Sequence, residues 1–244
     1  MTIRQPQVIF LDAVGTLFGV KKSVGHVYQE IAQQFGVAVE PDVLNQAFHK
    51  SFQAGGLPAF PGIPLNQIRD QEFNWWQTIA LSTFQQAGVL DQFPDFTAFF
   101  KVLFSHFETA DPWVLYPDVI PALQQWQNQG IRLGVLSNFD SRLYTVLEAL
   151  ELKPFFTSIT VSTQVGVAKP EQGIFQHALK QQGCAPEAAW HIGDSYEEDY
   201  QAARRSGLRG IWLRRNDPSV PLRRSDRDIE DGLGVATSLT DVGV

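Results

Sequence analysis

The chain has very little sulfur: one cysteine, Cys184, and one methionine among 244 residues. A lone cysteine closes no internal disulfide and excludes a Cys-rich metal site, which fits a reducing compartment. Charge is sparse too, at 18% of residues, with 26 acidic against 19 basic side chains and a net charge of −7. That balance argues against bulk electrostatic binding of nucleic acid, although a local or metal-filled pocket on an acidic protein still attracts anions. Residues 1–10 lack the apolar core of a signal peptide and no later run approaches a membrane span, so a soluble cytoplasmic protein is expected. Internal repeats and low-complexity tracts are lacking as well. What the chain does have is apolar bulk, 44% of residues, enough for a substantial core.

That bulk is distributed in two patterns. Short continuous apolar runs occur at Val8–Leu11, Ile131–Leu136, Ile159–Ser162, Trp190–Gly193 and Gly210–Leu213. Such runs suit parallel strands covered on both faces. Between the later ones lie stretches with helical spacing: 119–129, 143–150, 172–182 and 197–206, three of them ending at Gly130, Gly183 and Gly207, where helix C-caps are expected. Alternation at this spacing predicts βαβ units and a parallel, Rossmann-like α/β sheet. The segment from about Gly19 to Asp111 breaks the alternation. It reads as helices at 24–34, 43–53, 68–87 and 95–109, with no strand and a Gly/Pro-rich loop at 55–64. The expected organisation is a core of residues 1–18 and 112–244 with a helical insertion at 19–111. The insertion's aromatics, among them Phe48, Phe52, Trp75, Trp76, Phe84, Phe99 and Phe100, read as bundle core rather than a stacking surface. Arg214–Arg215 and Arg223–Arg224 read as a solvated basic loop.

In a parallel sheet the ligand crevice lies at the carboxyl ends of the strands. Standing at those ends are Asp12, Ser137–Asn138 and Asp194, with Lys169 on the loop after the third run. Singly, each has a structural explanation as a turn residue, a helix cap or a surface lysine; four such signals in order do not. One chemistry uses them all. Asp12 and Asp194 offer the hard oxygen ligands that Mg²⁺ prefers, and the metal lets an anionic nucleophile approach a phosphoryl group. Lys169 adds positive charge against the developing transition state. Ser137, Asn138 and the segment around Gly15, Thr16 and Leu17 supply donors for phosphate oxygens. Asp12 would attack to form an aspartyl-phosphate that water hydrolyses. Asp199 either reaches the metal through a water or holds Lys169; Glu198 is its rival, and Glu197 reads as solvated.

These same residues carry a family resemblance. Leu11-Asp12-Ala13-Val14-Gly15-Thr16-Leu17-Phe18 resembles the first motif of the haloacid dehalogenase-like hydrolases, and Leu136-Ser137-Asn138 the second. Lys169-Pro170-Glu171 with Ile174-Phe175 is similar to the third, and His191-Ile192-Gly193-Asp194-Ser195 with Asp199, Ala202, Ala203 and Gly207 to the fourth. The helical insertion matches the C1-type cap of this superfamily's first subfamily, and the whole is similar to the branch named after rhythmically expressed gene 2. The resemblance implies a Mg²⁺-dependent phosphatase acting on a small phosphorylated metabolite. It also implies a metal ligand in the backbone carbonyl at position 14.

One position departs from the pattern. Family phosphatases carry a second aspartate two residues after the nucleophile, which protonates the leaving group; here it is Val14. Its loss removes a factor of about 10² to 10⁴, least harmful for aryl or acyl phosphates. A haloacid dehalogenase needs no such acid, yet it also uses no Mg²⁺, whereas Gly193-Asp194 keeps the metal carboxylate. It needs a cationic halide cradle too, and no arginine lies between Phe18 and Ile68. A phosphonate hydrolase of the phosphonoacetaldehyde type needs a cap lysine, for which Lys21, Lys22 and Lys50 are candidates by type alone. His26 is a candidate replacement acid, although a half-exposed helix position explains it better. A phosphometabolite- or partner-binding protein of low activity is the non-enzymatic alternative.

Overall fold

The computed structural model describes residues 5–215 and 234–244. The chain runs through β1 (Val8–Leu11), β2 (Phe18–Val20), α1 (Val24–Gln34), α2 (Pro41–Gly55), α3 (Leu65–Gln86), α4 (Phe96–His106) and β3 (Trp113–Leu115). It continues with α5 (Val119–Asn128), β4 (Arg132–Ser137), α6 (Leu143–Ala149), β5 (Ser158–Val161), α7 (Ser162–Val165) and α8 (Gln172–Gln182). Last come β6 (Ala189–Gly193), a π-helical turn (Tyr196–Gln201), α9 (Ala202–Arg205), β7 (Arg209–Leu213) and β8 (Val235–Ala236). Among the described residues no helix is long and apolar enough to cross a membrane.

Six strands form one sheet in the order β5-β4-β1-β6-β7-β8, every pair parallel. This is the expected Rossmann-like α/β architecture. All four residues of β1 are fully buried, and they alternate between two cores because successive side chains point to opposite faces. Ile9 and Leu11 pack with Leu123, Trp126 and Leu147, while Val8 and Phe10 pack with Phe175, Ala178 and Ala203. A strand so sandwiched has no solvent face, which is why it reads as an unbroken apolar run. With β4 on one side of β1 and β6 on the other, the chain reverses direction across the sheet there. The carboxyl ends of these central strands open onto one crevice.

The four helices between β2 and β3 bury a third cluster, rich in phenylalanine. Phe84, Phe93, Phe96 and Phe99 meet mostly edge to face at centroid separations of 4.5 to 5.9 Å, the arrangement that ring quadrupoles favour. Ser23 starts α1 by accepting the amide of His26, and Asp95 starts α4 by accepting that of Ala98.

The stretch from Gly19 was expected to hold no strand, and this is corrected. Gly19 and Val20 belong to β2, which pairs antiparallel with β3 in the register Phe18↔Leu115 and Val20↔Trp113. This two-stranded ribbon joins the helical block to the sheet, and Phe18 meets Trp113 edge-on at 5.1 Å. Strands of three residues are too short to show any period, so nothing in the sequence marked them.

Candidate active site

Asp12 follows the last residue of β1, and its amide donates to the carbonyl of Ile192 on β6 at 2.9 Å. That bond fixes the side chain at the crevice floor. Lys169 arrives from the loop after α7 and is 2% exposed, with Nζ 2.7 Å from Asp12 Oδ1 and 2.5 Å from Asp199 Oδ1. Burial alone would pull the ammonium down; the two carboxylates reverse this and hold it above the ordinary lysine range. The lysine is therefore a fixed cation. Asp12 is pushed up by burial and by the charge of Asp199, against the hydrogen bonds from Lys169 and Ser137.

The π-helical turn brings Asp199 into place. The amides of Asp199 and Tyr200 both donate to the carbonyl of Ser195, at 3.1 and 3.2 Å, and the widened turn swings Asp199 back under the loop. There Oδ1 also accepts from His191 Nε2 at 2.8 Å, and Oδ2 accepts the Ser195 amide at 2.9 Å. Burial opposes its charge, but Lys169 and His191 outweigh it and hold Asp199 well below the usual carboxylate range. Gly193 makes room, since a Cβ there would fall 2.1 Å from the Asp199 carboxyl carbon.

Asp194 completes the group. One of its oxygens and one each from Asp12 and Asp199 lie within 4.8 Å of one another. Lost hydration, then the charges of Asp12 and Asp199, push Asp194 up to about 7. Three carboxylates crowded together with one lysine leave excess negative charge, a hard-oxygen donor set that suits a divalent cation.

Several expected roles differ in the structure. The Gly15 amide is not available to a phosphate: it donates to the carbonyl of Phe18 at 2.8 Å, and the amides of Thr16 and Leu17 both donate to that of Ala13. Thr16 is fully buried, with no partner for its hydroxyl among the described residues. Closing the turn this tightly consumes those donors. Gly15 is required instead because its φ is +89° and because a Cβ would fall 2.4 Å from Asp194 Oδ2. The amides of Ala13, Val14 and Asn138 donate to nothing within the protein among the described residues, so these donors remain at the strand ends. The side chain of Asn138 is also committed. Its Nδ2 donates to the Lys169 carbonyl at 2.9 Å and to Glu198 at 3.0 Å, while its Oδ1 accepts the Lys169 amide at 2.7 Å. It braces the lysine loop rather than offering hydrogens to a ligand. Glu198 is held by that brace, and Glu197 is exposed.

Position bears on two further readings. Among the described residues the His26 ring bonds to Ser23 alone, 2.9 Å away at the start of α1. Lys21, Lys22 and Lys50 are exposed. Arg215, read as part of a solvated loop, folds back instead. It donates to the carbonyls of Gly15 and Thr16 and to Asp118 while lying 3.9 Å over the ring of Tyr116. It thus props the nucleophile's loop from behind, a long-range contact that no local pattern signals. Arg223 and Arg224 lie outside the described residues.

Beside the carboxylates is a cavity of about 290 Å³ between the helical block and the sheet. Phe48, Phe52, Trp76 and Phe100 line it from the helices, Trp113 and Phe139 from the other side, and Val14 and Asn138 where it meets the crevice. Phe48, Phe52, Trp76 and Phe100 were expected only as bundle core. Its one arginine, Arg142, makes two bonds to Asp140, at 2.9 and 2.6 Å, and stacks 3.9 Å over Phe104.

Comparison with known proteins gives the same picture. The family model of haloacid dehalogenase-like hydrolases matches residues 6–207. Haloacid dehalogenase-like hydrolase domain-containing protein 3 of Xenopus laevis is 34% identical over 212 residues, covering 87% of this chain and 86% of its own. The rhythmically expressed gene 2 protein of Drosophila melanogaster is 26% identical over 235 residues, covering 92% and 89%. In fold, the chain is similar to the magnesium-bound structure of the putative HAD-hydrolase YfnB from Bacillus subtilis. Its TM-score is 0.69 at 16% identity, covering 98% of this chain and 97% of that one.

Proposed function

The chain belongs to the haloacid dehalogenase-like hydrolases, and on that footing we propose that it is a Mg²⁺-dependent phosphatase of a small phosphorylated metabolite. The observation that carries this reading is the convergence of Asp12, Asp194 and Asp199 around a lysine already bonded to Asp12. Asp12, Asp194 and the Val14 carbonyl would hold the ion, with Asp199 close enough to join through a water. When bound, the cation offsets the repulsion between an anionic nucleophile and an anionic phosphoryl group. Asp12 attacks phosphorus and the ester bond breaks, leaving an aspartyl-phosphate; water then attacks that phosphorus, freeing inorganic phosphate and restoring Asp12. Lys169, fixed by Asp12 and Asp199, faces the charge that builds on the phosphoryl oxygens, and the spare amides of Ala13, Val14 and Asn138 add donors. Val14 offers no proton to the leaving group. The helical block, residues 19–111, is the cap that excludes water and selects the substrate.

The halide reading has less support. The lining arginine is spent on Asp140, so the cavity holds no free cation to cradle a halide among the described residues. A panel of aryl, acyl and sugar phosphates and 2-haloacids, with Mg²⁺ or with chelator, decides the matter. We expect Mg²⁺-dependent phosphate release that Asp12→Asn abolishes; halide release indifferent to chelator overturns the proposal.

A further inference from the structure

The cavity beside the carboxylates has nearly no chemistry with which to hold a sugar. Its wall is aromatic and aliphatic, its arginine is bonded to Asp140 and to the Phe104 carbonyl, and both amide hydrogens of Asn138 are engaged. His49 stands at the exposed edge, within 3.5 Å of Asn45. One polar group is left inside. Tyr28 is 3% exposed and lines the cavity, and its hydroxyl has no hydrogen-bond partner among the described residues. Burial keeps that hydroxyl protonated, its pKa lying above the ordinary tyrosine value, so it stands ready as a donor. A hydroxyl that opens into an otherwise apolar chamber without a protein partner is a donor that a bound molecule can use.

We propose that this chamber receives the organic group of the substrate, and that this group is an aromatic or comparably apolar alcohol bearing one hydrogen-bond acceptor for Tyr28. The assignment rests on the phosphatase reading and adds the substrate class to it. At about 290 Å³ the chamber is near the lower end of small-molecule pockets, which start at about 300 Å³; one or two rings suit it. Val14 points to the same class independently. In the first step the electron pair of the breaking P–O bond stays on the leaving oxygen, and an aryl oxide bears that charge without an enzymatic acid, taking its proton later from solvent. An alkoxide does not. The residue that removes the acid also forms part of the apolar wall.

The test uses the full chain with Mg²⁺ and compares 1-naphthyl phosphate, phenyl phosphate, 4-acetylphenyl phosphate, glycerol 1-phosphate and acetyl phosphate. Acetyl phosphate needs no chamber, so its hydrolysis reports the phosphatase chemistry alone. The KM for naphthyl phosphate should lie at least about tenfold below that for glycerol 1-phosphate, since one well-placed methylene already discriminates by that order. Tyr28→Phe should cut the preference for 4-acetylphenyl over phenyl phosphate by about tenfold. Val24→Phe, which fills the chamber, should lower the naphthyl-to-acetyl ratio in kcat/KM; if it fails to fold, the Tyr28→Phe ratio still decides. Hydrolysis of acetyl phosphate with no KM advantage for the aryl esters overturns the substrate class and leaves the phosphatase reading standing. No hydrolysis of any ester, with 1-naphthol still binding by calorimetry and lost in Val24→Phe, overturns the phosphatase and keeps the aromatic site. Neither preference nor binding overturns the inference outright.

Discussion

At the scale of single residues, Val14 and Gly15 set what the nucleophile's loop does. Val14 is half-buried against the apolar wall, two positions from Asp12. Restoring a carboxylate there should favour reactions whose leaving group needs a proton. Val14→Asp is expected to raise kcat for alkyl phosphates by about 10- to 100-fold, within the range of general acid catalysis, and for aryl phosphates by much less. Steady-state rates on matched esters check this; equal gains on both classes would mean that protonation is not what the site lacks. The same substitution should shorten the life of the aspartyl-phosphate, measured by rapid quench, because the added group also activates water. Gly15 is constrained in another way. A methyl group at this position meets the Asp194 carboxylate at 2.4 Å, on a backbone with φ of +89°. Gly15→Ala should therefore push Asp194 aside and weaken Mg²⁺ binding by at least about tenfold, the scale of effect seen when the surroundings of metal ligands are disturbed. Calorimetric titration reads it directly.

At the scale of elements, the site exists because three carboxylates from two strand ends and one π-helical turn are forced together, and the metal-free protein bears the repulsion. Asp194 titrates near 7 in the folded chain and near 3.8 as a free group. Between those values the folded state holds a proton that the unfolded state has lost. Metal-free stability should thus fall as pH rises through about 4 to 7, while the stabilisation conferred by Mg²⁺ should grow across the same interval, because the ion binds the deprotonated form. Melting temperatures with and without Mg²⁺ at pH 5.5 and 8 test the sign, and a larger Mg²⁺ shift at pH 5.5 would contradict it. The π-helical turn makes a separate contribution by delivering Asp199 to Lys169. Asp199→Asn leaves the buried ammonium with Asp12 alone, and stability should drop by about 3 kcal/mol, at the lower end for broken buried pairs since one partner survives; the urea midpoint measures it. Much of this arrangement was legible in the sequence. Asp12 and Asp194 announce themselves because strands buried on both faces are unbroken apolar runs, and a charge ending such a run stands out; Lys169 and Asp199 lie beyond the runs, and the family motifs single them out. The strands β2 and β3 and the bracing by Asn138 and Arg215 did not, because each depends on contacts between distant segments; the π-helical turn did not because one widened turn leaves no periodic signature.

At the scale of the molecule, the chamber exists only while the helices stay seated on the sheet, and a small polar clasp seats them. Glu72 of α3 is 1% exposed and accepts from the Ser141 amide at 2.8 Å, from the Ser141 hydroxyl, and from Thr163 at 2.6 Å. Nearby, Trp76 donates to Asp140 at 2.6 Å and Ser162 to the Pro58 carbonyl at 2.6 Å. Every one of these bonds joins the helical insertion to a loop or turn beside β4 or β5, and none involves Asp12 or Lys169. Truncating Glu72 to alanine leaves three donors at that junction without their acceptor, at a cost of about 1–3 kcal/mol. The loss should be felt as loosening of the seat, since the phenylalanine cluster of the helices and the two faces of the sheet are untouched. Hydrogen exchange should accelerate in α3 while β1 and β4 keep their protection. If the chamber holds the organic group of the substrate, Glu72→Ala should also raise KM for naphthyl phosphate several-fold and change kcat/KM for acetyl phosphate much less, because only the first needs the closed chamber. Unchanged exchange in α3 would mean that the apolar contacts alone seat the helices. A uniform loss on both substrates would mean instead that Glu72 acts on the carboxylate site itself, through Ser141 and the β4 loop that also carries Asn138.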